Sequence, residues 1–382
     1  MQFEFATATR IVFGTGTISQ LPAIAQNFGR RALVVTGRNP QRAEKLMAKH
    51  GGIHTTICSV DGEPEISTVE NGVALAKKEK CDFVISLGGG SAIDAGKAIA
   101  AMMTNEGAVM EYLELIGRGK SLSNPSAPFI AIPTTAGTGS EVTRNSVLAS
   151  TEHKLKVSLR SLFMLPRVAI VDPELTCDLP PALTASTGLD ALTQLIEPFV
   201  CSRANPMTDG ICVEGISRAA WALRAAFKNG GDIKAREAMA VASLFGGLAL
   251  ANAGLGAVHG FAGPIGGSFS APHGAICAAL LPHIMDANLQ ALREREPKNP
   301  AVARYERIAK LLTGNSNAMA RDGVKWVREL TEDMQIQPLR VYGVEEKHVP
   351  DLVTKAANAS SMKANPVTLT ANELSAVLRA AL

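Results

Sequence analysis

Nowhere does the chain hold the ~20 consecutive apolar residues that a membrane-spanning helix needs, because glycines and polar residues interrupt every apolar stretch. A transmembrane protein is therefore not expected. Charge is scarce as well: charged residues make up 19% of the 382 residues, the formal net charge is +3, and no run of Lys and Arg exceeds a pair. This leaves no electrostatic footprint for nucleic acid or a membrane surface, so a small molecule is the expected partner. The six cysteines (Cys58, Cys81, Cys177, Cys201, Cys212 and Cys277) are scattered singly, with no C-x-x-C pair. That pattern excludes a disulfide-stapled secreted scaffold and reads as thiols in a reducing compartment. The first residues carry an acid at Glu4 and lack a basic stretch followed by a long apolar one, so no signal peptide is expected and the location expected is cytoplasmic. Internal repeats and low-complexity tracts are also missing. What is present is a chain with 46% hydrophobic residues, long enough for a large core and for two or three domains.

The first half alternates β-branched runs with helical stretches. Strands are expected at Ala32–Thr36, Thr55–Val60, Phe83–Leu87, Phe129–Ile132 and Val168–Asp172, with helices near Pro40–His50, over Ile66–Lys80 and from Ser91. Such alternation predicts βαβ units and a parallel sheet. Beyond Asp172 the composition turns to long Ala/Leu-rich segments broken by Gly, at Thr184–Phe199, Pro206–Phe227, Ile233–Ala253 and Ala301–Leu312, which is helical territory. The fold class expected is α/β: a dinucleotide-binding parallel-sheet domain over residues 1–180, then an all-helical domain over residues 181–382.

Gly88-Gly-Gly-Ser91 follows directly on the apolar strand Phe83–Leu87 and opens a helical run. Glycines let a backbone approach a pyrophosphate closely, and a helix N-terminus offers it free N–H groups and a positive dipole. The same loop would also serve as a plain strand-to-helix turn with Ser91 as N-cap. A second loop, Pro133-Thr-Thr-Ala-Gly-Thr-Gly-Ser140, leaves the strand Phe129–Ile132 and brings hydroxyls to the edge where open α/β sheets bind ligands. Gly14-Thr-Gly16 imitates a dinucleotide fingerprint but has Ser19 at its third position, so it is set aside.

Asp190 and Gln194 are spaced i, i+4 in an Ala/Leu-rich segment and face one way on a helix, while His259 and His273 each sit beside a glycine. One carboxylate and two imidazoles make a three-ligand metal site with open positions; read singly, each histidine is an ordinary core or surface residue.

These segments, with Val168-Ala-Ile-Val-Asp-Pro173, Gly188–Glu197, Leu280-Leu-Pro282 and Asn365-Pro366, resemble the iron-containing (group III) alcohol dehydrogenase family almost end to end. The resemblance implies hydride transfer between NAD(P)(H) and an alcohol, aldehyde or ketone, assisted by Fe²⁺ or Zn²⁺, in a homodimer. It places Gly89, Gly90, Ser91 and Asp94 at the cofactor pyrophosphate, and Thr134, Thr135, Thr138 and Lys156 at the ribose and nicotinamide. Family members that use NAD tend to carry an Asp where this chain has Gly37, followed by Arg38 and Arg42, which favours the 2′-phosphate of NADP(H) over NAD(H). The implied metal set and catalytic centre are Asp190, His259 and His273, with Gln194 at the position of the family's first metal histidine. A second family histidine, a proton relay, is replaced by Gly263. Two other readings remain open: a metal-free reductase of keto or unsaturated acids, similar to maleylacetate reductases, holding its substrate carboxylate with Arg144 or Lys156, and a nucleotide-binding homologue without chemistry. Phe163, Phe245, Phe261 and Phe269 are expected in the core rather than in the wall of an apolar substrate pocket, and His283 in a structural role.

Overall fold

The computed structural model describes residues 2–50, 52–150, 152–153 and 155–382. Six short runs rich in Val, Ile and Ala form one parallel sheet: β1 (Arg10–Phe13), β2 (Arg31–Thr36), β3 (His54–Ser59), β4 (Phe83–Gly88), β5 (Phe129–Pro133) and, after a separate hairpin, β8 (Val168–Val171). The hairpin pairs β6 (Asn145–Ser150) antiparallel with β7 (Leu155–Arg160). Strands β2, β4, β5 and β8 are almost wholly buried, as parallel strands covered on both faces must be. The helices between strands are α1 (Leu21–Ala25), α2 (Gln41–His50), α3 (Ile66–Lys78), α4 (Gly90–Met102) and α5 (Val109–Tyr112).

The strand order is β1-β8-β5-β4-β2-β3. From β2 onward it follows the doubly wound 2-1-3-4-5 pattern, whose switch point lies between β2 and β4. The loops that leave these two strands carry Gly37-Arg38 and Gly88–Gly90, so the order itself sets both at the edge where such sheets bind ligands. Helix α4 packs closely on the sheet through Gly96, where a Cβ would meet Ser86 Oγ at 2.0 Å.

By their contacts, residues 6–135 and 139–177 form one unit, and residues 178–382 with 136–138 and the N-terminal residues up to Phe5 form another. The second is helical: α6 (Pro181–Val200), α7 (Pro206–Lys228), α8 (Ile233–Asn252), α9 (Ala257–Ser268), α10 (His273–Arg295), α11 (Pro300–Thr313), α12 (Ala320–Asp333), α13 (Val349–Ala357) and α14 (Ala371–Ala380). Leu189, Leu192, Ile216, Leu223, Ile276 and Leu280 are fully buried at its centre. Helix α10 is long and apolar enough to cross a membrane, but 72% of its most apolar window is buried inside the protein, as befits a core helix.

The α/β-then-helical fold class expected from the sequence is the one observed. Strand β1, the β6–β7 hairpin, helices α9 and α10 and the three last helices carry no expectation from sequence. Gly14 and Gly16 belong to a turn whose Gly16 and Ile18 N–H groups donate to the Asp172 carboxylate at 3.1 and 3.0 Å. That engagement accounts for the loop as structure. Phe261 lies in the core, Phe245 and Phe269 pack partly buried against it, and Phe163 departs from expectation at 45% exposure, lying in a short turn after β7.

Candidate functional site

Helix α6 contributes the first ligand candidate. Asp190 is 1% exposed, and Gln194, one turn on, donates from its amide nitrogen to Asp190 Oδ2 at 2.9 Å. A carboxylate only accepts, so the amide nitrogen must face it, and Gln194 Oε1 lies on the Gly246 side. Gln194 thus orients the aspartate.

The second candidate is placed by the start of α9. The helix opens at Gly256 without a side-chain cap of its own, and its first N–H groups are taken by tertiary partners. Asn365 Oδ1 accepts from Ala257 N at 3.1 Å, and Glu197 Oε1 accepts from Val258 N at 2.7 Å. A Cβ on Gly256 would meet both acceptors at 2.9 Å, so only glycine admits them. The other Glu197 oxygen lies 2.6 Å from His259 Nδ1, which must donate to it. The Nε2 lone pair of His259 is thereby directed at Asp190 Oδ1, 3.5 Å away. Glu197, missed as a functional residue by sequence reasoning, supplies the carboxylate–histidine pair found behind metal ligands. Its only sequence signal is its place two turns after Asp190.

His273 begins α10, and its Nε2 lies 3.7 Å from the same Asp190 oxygen. Asp190 Oδ1 nevertheless has no hydrogen-bond donor. Among the described residues only four buried side-chain polar atoms lack a partner, and two of them, Asp190 Oδ1 and Gln194 Oε1, belong to this cluster. An unpaired buried carboxylate oxygen facing two imidazole nitrogens calls for a positive charge between them. The proton affinities show the same pull for positive charge, which protons on the imidazoles meet when no metal is bound. Burial pushes the Asp190 pKa up, but His273 and His259 outweigh it and the net direction is down. Burial likewise lowers both histidines, yet Cys277, Glu197 and Asp190 hold His259 well above the imidazole range, and Cys277 and Asp190 raise His273. Asp190, His259, His273 and Cys277 bring their donor atoms within 4.8 Å of one another. The donor set and the orphaned oxygen fit a divalent metal.

In the sheet unit, Gly89 holds the N-cap of α4 in extended backbone, and Ser91 is the second helical residue rather than the cap. No side chain caps this 13-residue helix. Gly89 would place a Cβ 3.4 Å from Thr135, and Thr134 N donates to Gly88 O at 2.9 Å, so Gly88–Gly90, Thr134 and Thr135 form one backbone-lined cradle. It fits an anionic phosphate group. Asp94, expected at the pyrophosphate, has a carboxylate that accepts from Ser140 Oγ and, at 2.9 Å, from Val147 N, and that pairs with Lys97 at 3.1 Å. It ties α4 to the loop after β5 and to β6. The Lys156 ammonium lies 2.8 Å from Glu63. Thr138 belongs by its contacts to the helical unit. Gly37 has open space where a Cβ would stand, and the exposed Arg38 pairs with Asp61 at 2.6 Å. Arg42 donates to Leu175 O at 2.6 Å.

Two family models match in succession: iron-containing alcohol dehydrogenase over residues 8–173, and the C-terminal region of the Fe-containing alcohol dehydrogenase family over residues 184–382. The chain is similar to 1,3-propanediol dehydrogenase of Klebsiella pneumoniae, at 36% identity over 99% of this chain and 98% of that protein. It superposes on the crystal structure of a 1,3-propanediol oxidoreductase with TM-score 0.92 and 35% identity, covering 100% of both chains. A sulfoacetaldehyde reductase from Bifidobacterium kashiwanohense, solved with NAD⁺, matches at TM-score 0.87 and 28% identity over 99% of this chain and 98% of that one.

Proposed function

Since the chain belongs to the iron-containing alcohol dehydrogenase family and is an NAD(P)-dependent oxidoreductase of alcohol and aldehyde pairs, we propose that it works with a divalent metal held by Asp190, His259 and His273, and with NADP(H). The reading extends to residues 1–180 as the cofactor-binding part and 181–382 as the metal and substrate part, in a soluble, cytoplasmic homodimer. Its substrates are alcohols and aldehydes, the class named for the relatives.

The observation that carries the metal is the orphaned Asp190 Oδ1, buried and facing two imidazole nitrogens. Lewis-acid polarisation of a substrate oxygen is the chemistry such an ion supplies when bound, and hydride is that supplied by a nicotinamide. The chain's own residues prepare the place. Glu197 fixes the tautomer of His259, Gln194 fixes the Asp190 carboxylate, and burial of Asp190 and Glu197 keeps bulk water from their charges. Gly263 carries no proton-transferring group, so the alcohol proton leaves through another hydroxyl or water. Gly89, Gly90, Ser91, Thr134, Thr135, Thr138 and Lys156 are assigned to the dinucleotide, with Lys156 first released from Glu63. Arg38 is assigned to the 2′-phosphate, since its surface pair with Asp61 is worth only about 0–1 kcal/mol and yields to a dianion.

Stripping the protein with a chelator tests this reading. Aldehyde reduction should fall about 100-fold or more and return with Zn²⁺ or Fe²⁺ under anaerobic conditions, while NADPH binding is unchanged. Full activity in metal-free protein would overturn it.

A further inference from the structure

We propose that Cys277 is the fourth protein ligand of the metal, and that its sulfur turns the site toward Zn²⁺ rather than Fe²⁺. This rests on the metal reading above and adds to it a residue and a choice of ion.

Cys277 lies one turn after His273 on α10, so both side chains project from the same face. It is fully buried, and its Sγ lies 3.8 Å from His273 Nε2 and 3.9 Å from His259 Nε2. An ordinary core cysteine packs as a small hydrophobe. This one faces two imidazole nitrogens and a carboxylate oxygen that has no donor.

The separations suit four protein ligands, with the substrate oxygen entering as a fifth. An ion about 2.0–2.1 Å from nitrogen and oxygen and about 2.3 Å from sulfur holds tetrahedral ligands roughly 3.3–3.6 Å apart. Four of the six separations, the 3.5 and 3.7 Å from Asp190 to the two imidazoles and the 3.8 and 3.9 Å from sulfur to them, need to contract by only a few tenths of an ångström, and the other two lie within 4.8 Å. Gln194, at the family's remaining histidine position, spends its amide nitrogen on Asp190 Oδ2. The place that imidazole would fill in the donor count is therefore taken by sulfur from another helix. On coordination the thiol loses one proton to solvent, and the resulting thiolate favours zinc over iron(II) in a mixed N, O, S set.

Cobalt(II) substitution tests the assignment. Chelator-stripped wild-type protein, Cys277→Ser and Cys277→Ala are titrated anaerobically with Co²⁺ and read by absorption, then competed with Zn²⁺ and Fe²⁺; circular dichroism of the metal-free proteins establishes that the variants fold. The wild type should bind one equivalent with visible ligand-field bands and a near-ultraviolet sulfur-to-cobalt charge-transfer band. Both variants should keep the ligand-field bands, lose the charge-transfer band, and bind Zn²⁺ about 10-fold or more weaker with a smaller loss for Fe²⁺. Bound cobalt without the charge-transfer band in wild type, or a band that persists in the variants, overturns the Cys277 assignment and leaves the metal reading standing. No cobalt bound by the wild type overturns both.

Discussion

Glu197 and His259, 62 residues apart, meet at 2.6 Å between Oε2 and Nδ1, and the second Glu197 oxygen holds the N–H of the residue just before that histidine. One carboxylate therefore sets both the backbone that carries the imidazole and the tautomer it adopts.

Glu197→Gln separates these two roles. The amide can still accept from Val258, but its NH₂ would face Nδ1 and move the ring proton to Nε2, the nitrogen aimed at Asp190. Metal affinity should fall about 10–100-fold, with the fold intact by circular dichroism. Chelator competition with Zn²⁺ reads the change, and an unaltered affinity would show that the pair does not govern the site.

Cofactor choice should follow the loop after β2. Steady-state kinetics are expected to give a higher kcat/KM with NADPH than with NADH. Arg38→Ala should remove most of that ratio, since a charge-assisted contact to the 2′-phosphate is worth about 1.5–3 kcal/mol. Gly37→Asp, entering open space, should reverse it in favour of NADH. A preference for NADH in the wild type would refute the proposal.

A fully buried Glu141 offers a pH test. Burial pushes its carboxyl from 4.5 up to about 7, with Lys97 opposing the shift. Below pH 4.5 both the folded and unfolded states hold the proton. Between 4.5 and 7 only the folded state does, so stability falls as pH rises, and above 7 the whole deficit is present, at most on the order of 3 kcal/mol. Glu141→Gln should therefore melt a few degrees above wild type at pH 8 and close to it at pH 4.5. Equal differences at both pH values would mean that no buried carboxylate titrates.

Gly263 leaves open the space that a side chain would fill, with nothing within 4 Å of the point where a Cβ would stand. Gly263→His should therefore fold and place an imidazole one turn after His259. As a proton carrier it should raise kcat near neutral pH, by up to about 100-fold if proton transfer limits the rate. A pH–rate profile that gains no new limb near the imidazole range would show that the proton already leaves by an adequate route.

Some of this protein was written locally in the chain. The Val/Ile runs that alternate with helical periods dictate a parallel sheet, since neighbouring residues alone set strand and helix preference. The glycine triplet at the end of β4 and the i, i+4 pair of Asp190 and Gln194 are equally local features, and together with the remaining motifs they disclosed the family. Tertiary packing decided the rest. Which way the Gln194 amide points depends on the charge beside it, Asp94 is held by Ser140 and Val147, and Glu197 reaches His259 only because α9 starts against α6. Cys277 looked like any buried thiol in the sequence. It faces Asp190, more than eighty residues away, because α10 packs on α6, and no local pattern encodes the meeting of two helix faces so far apart along the chain.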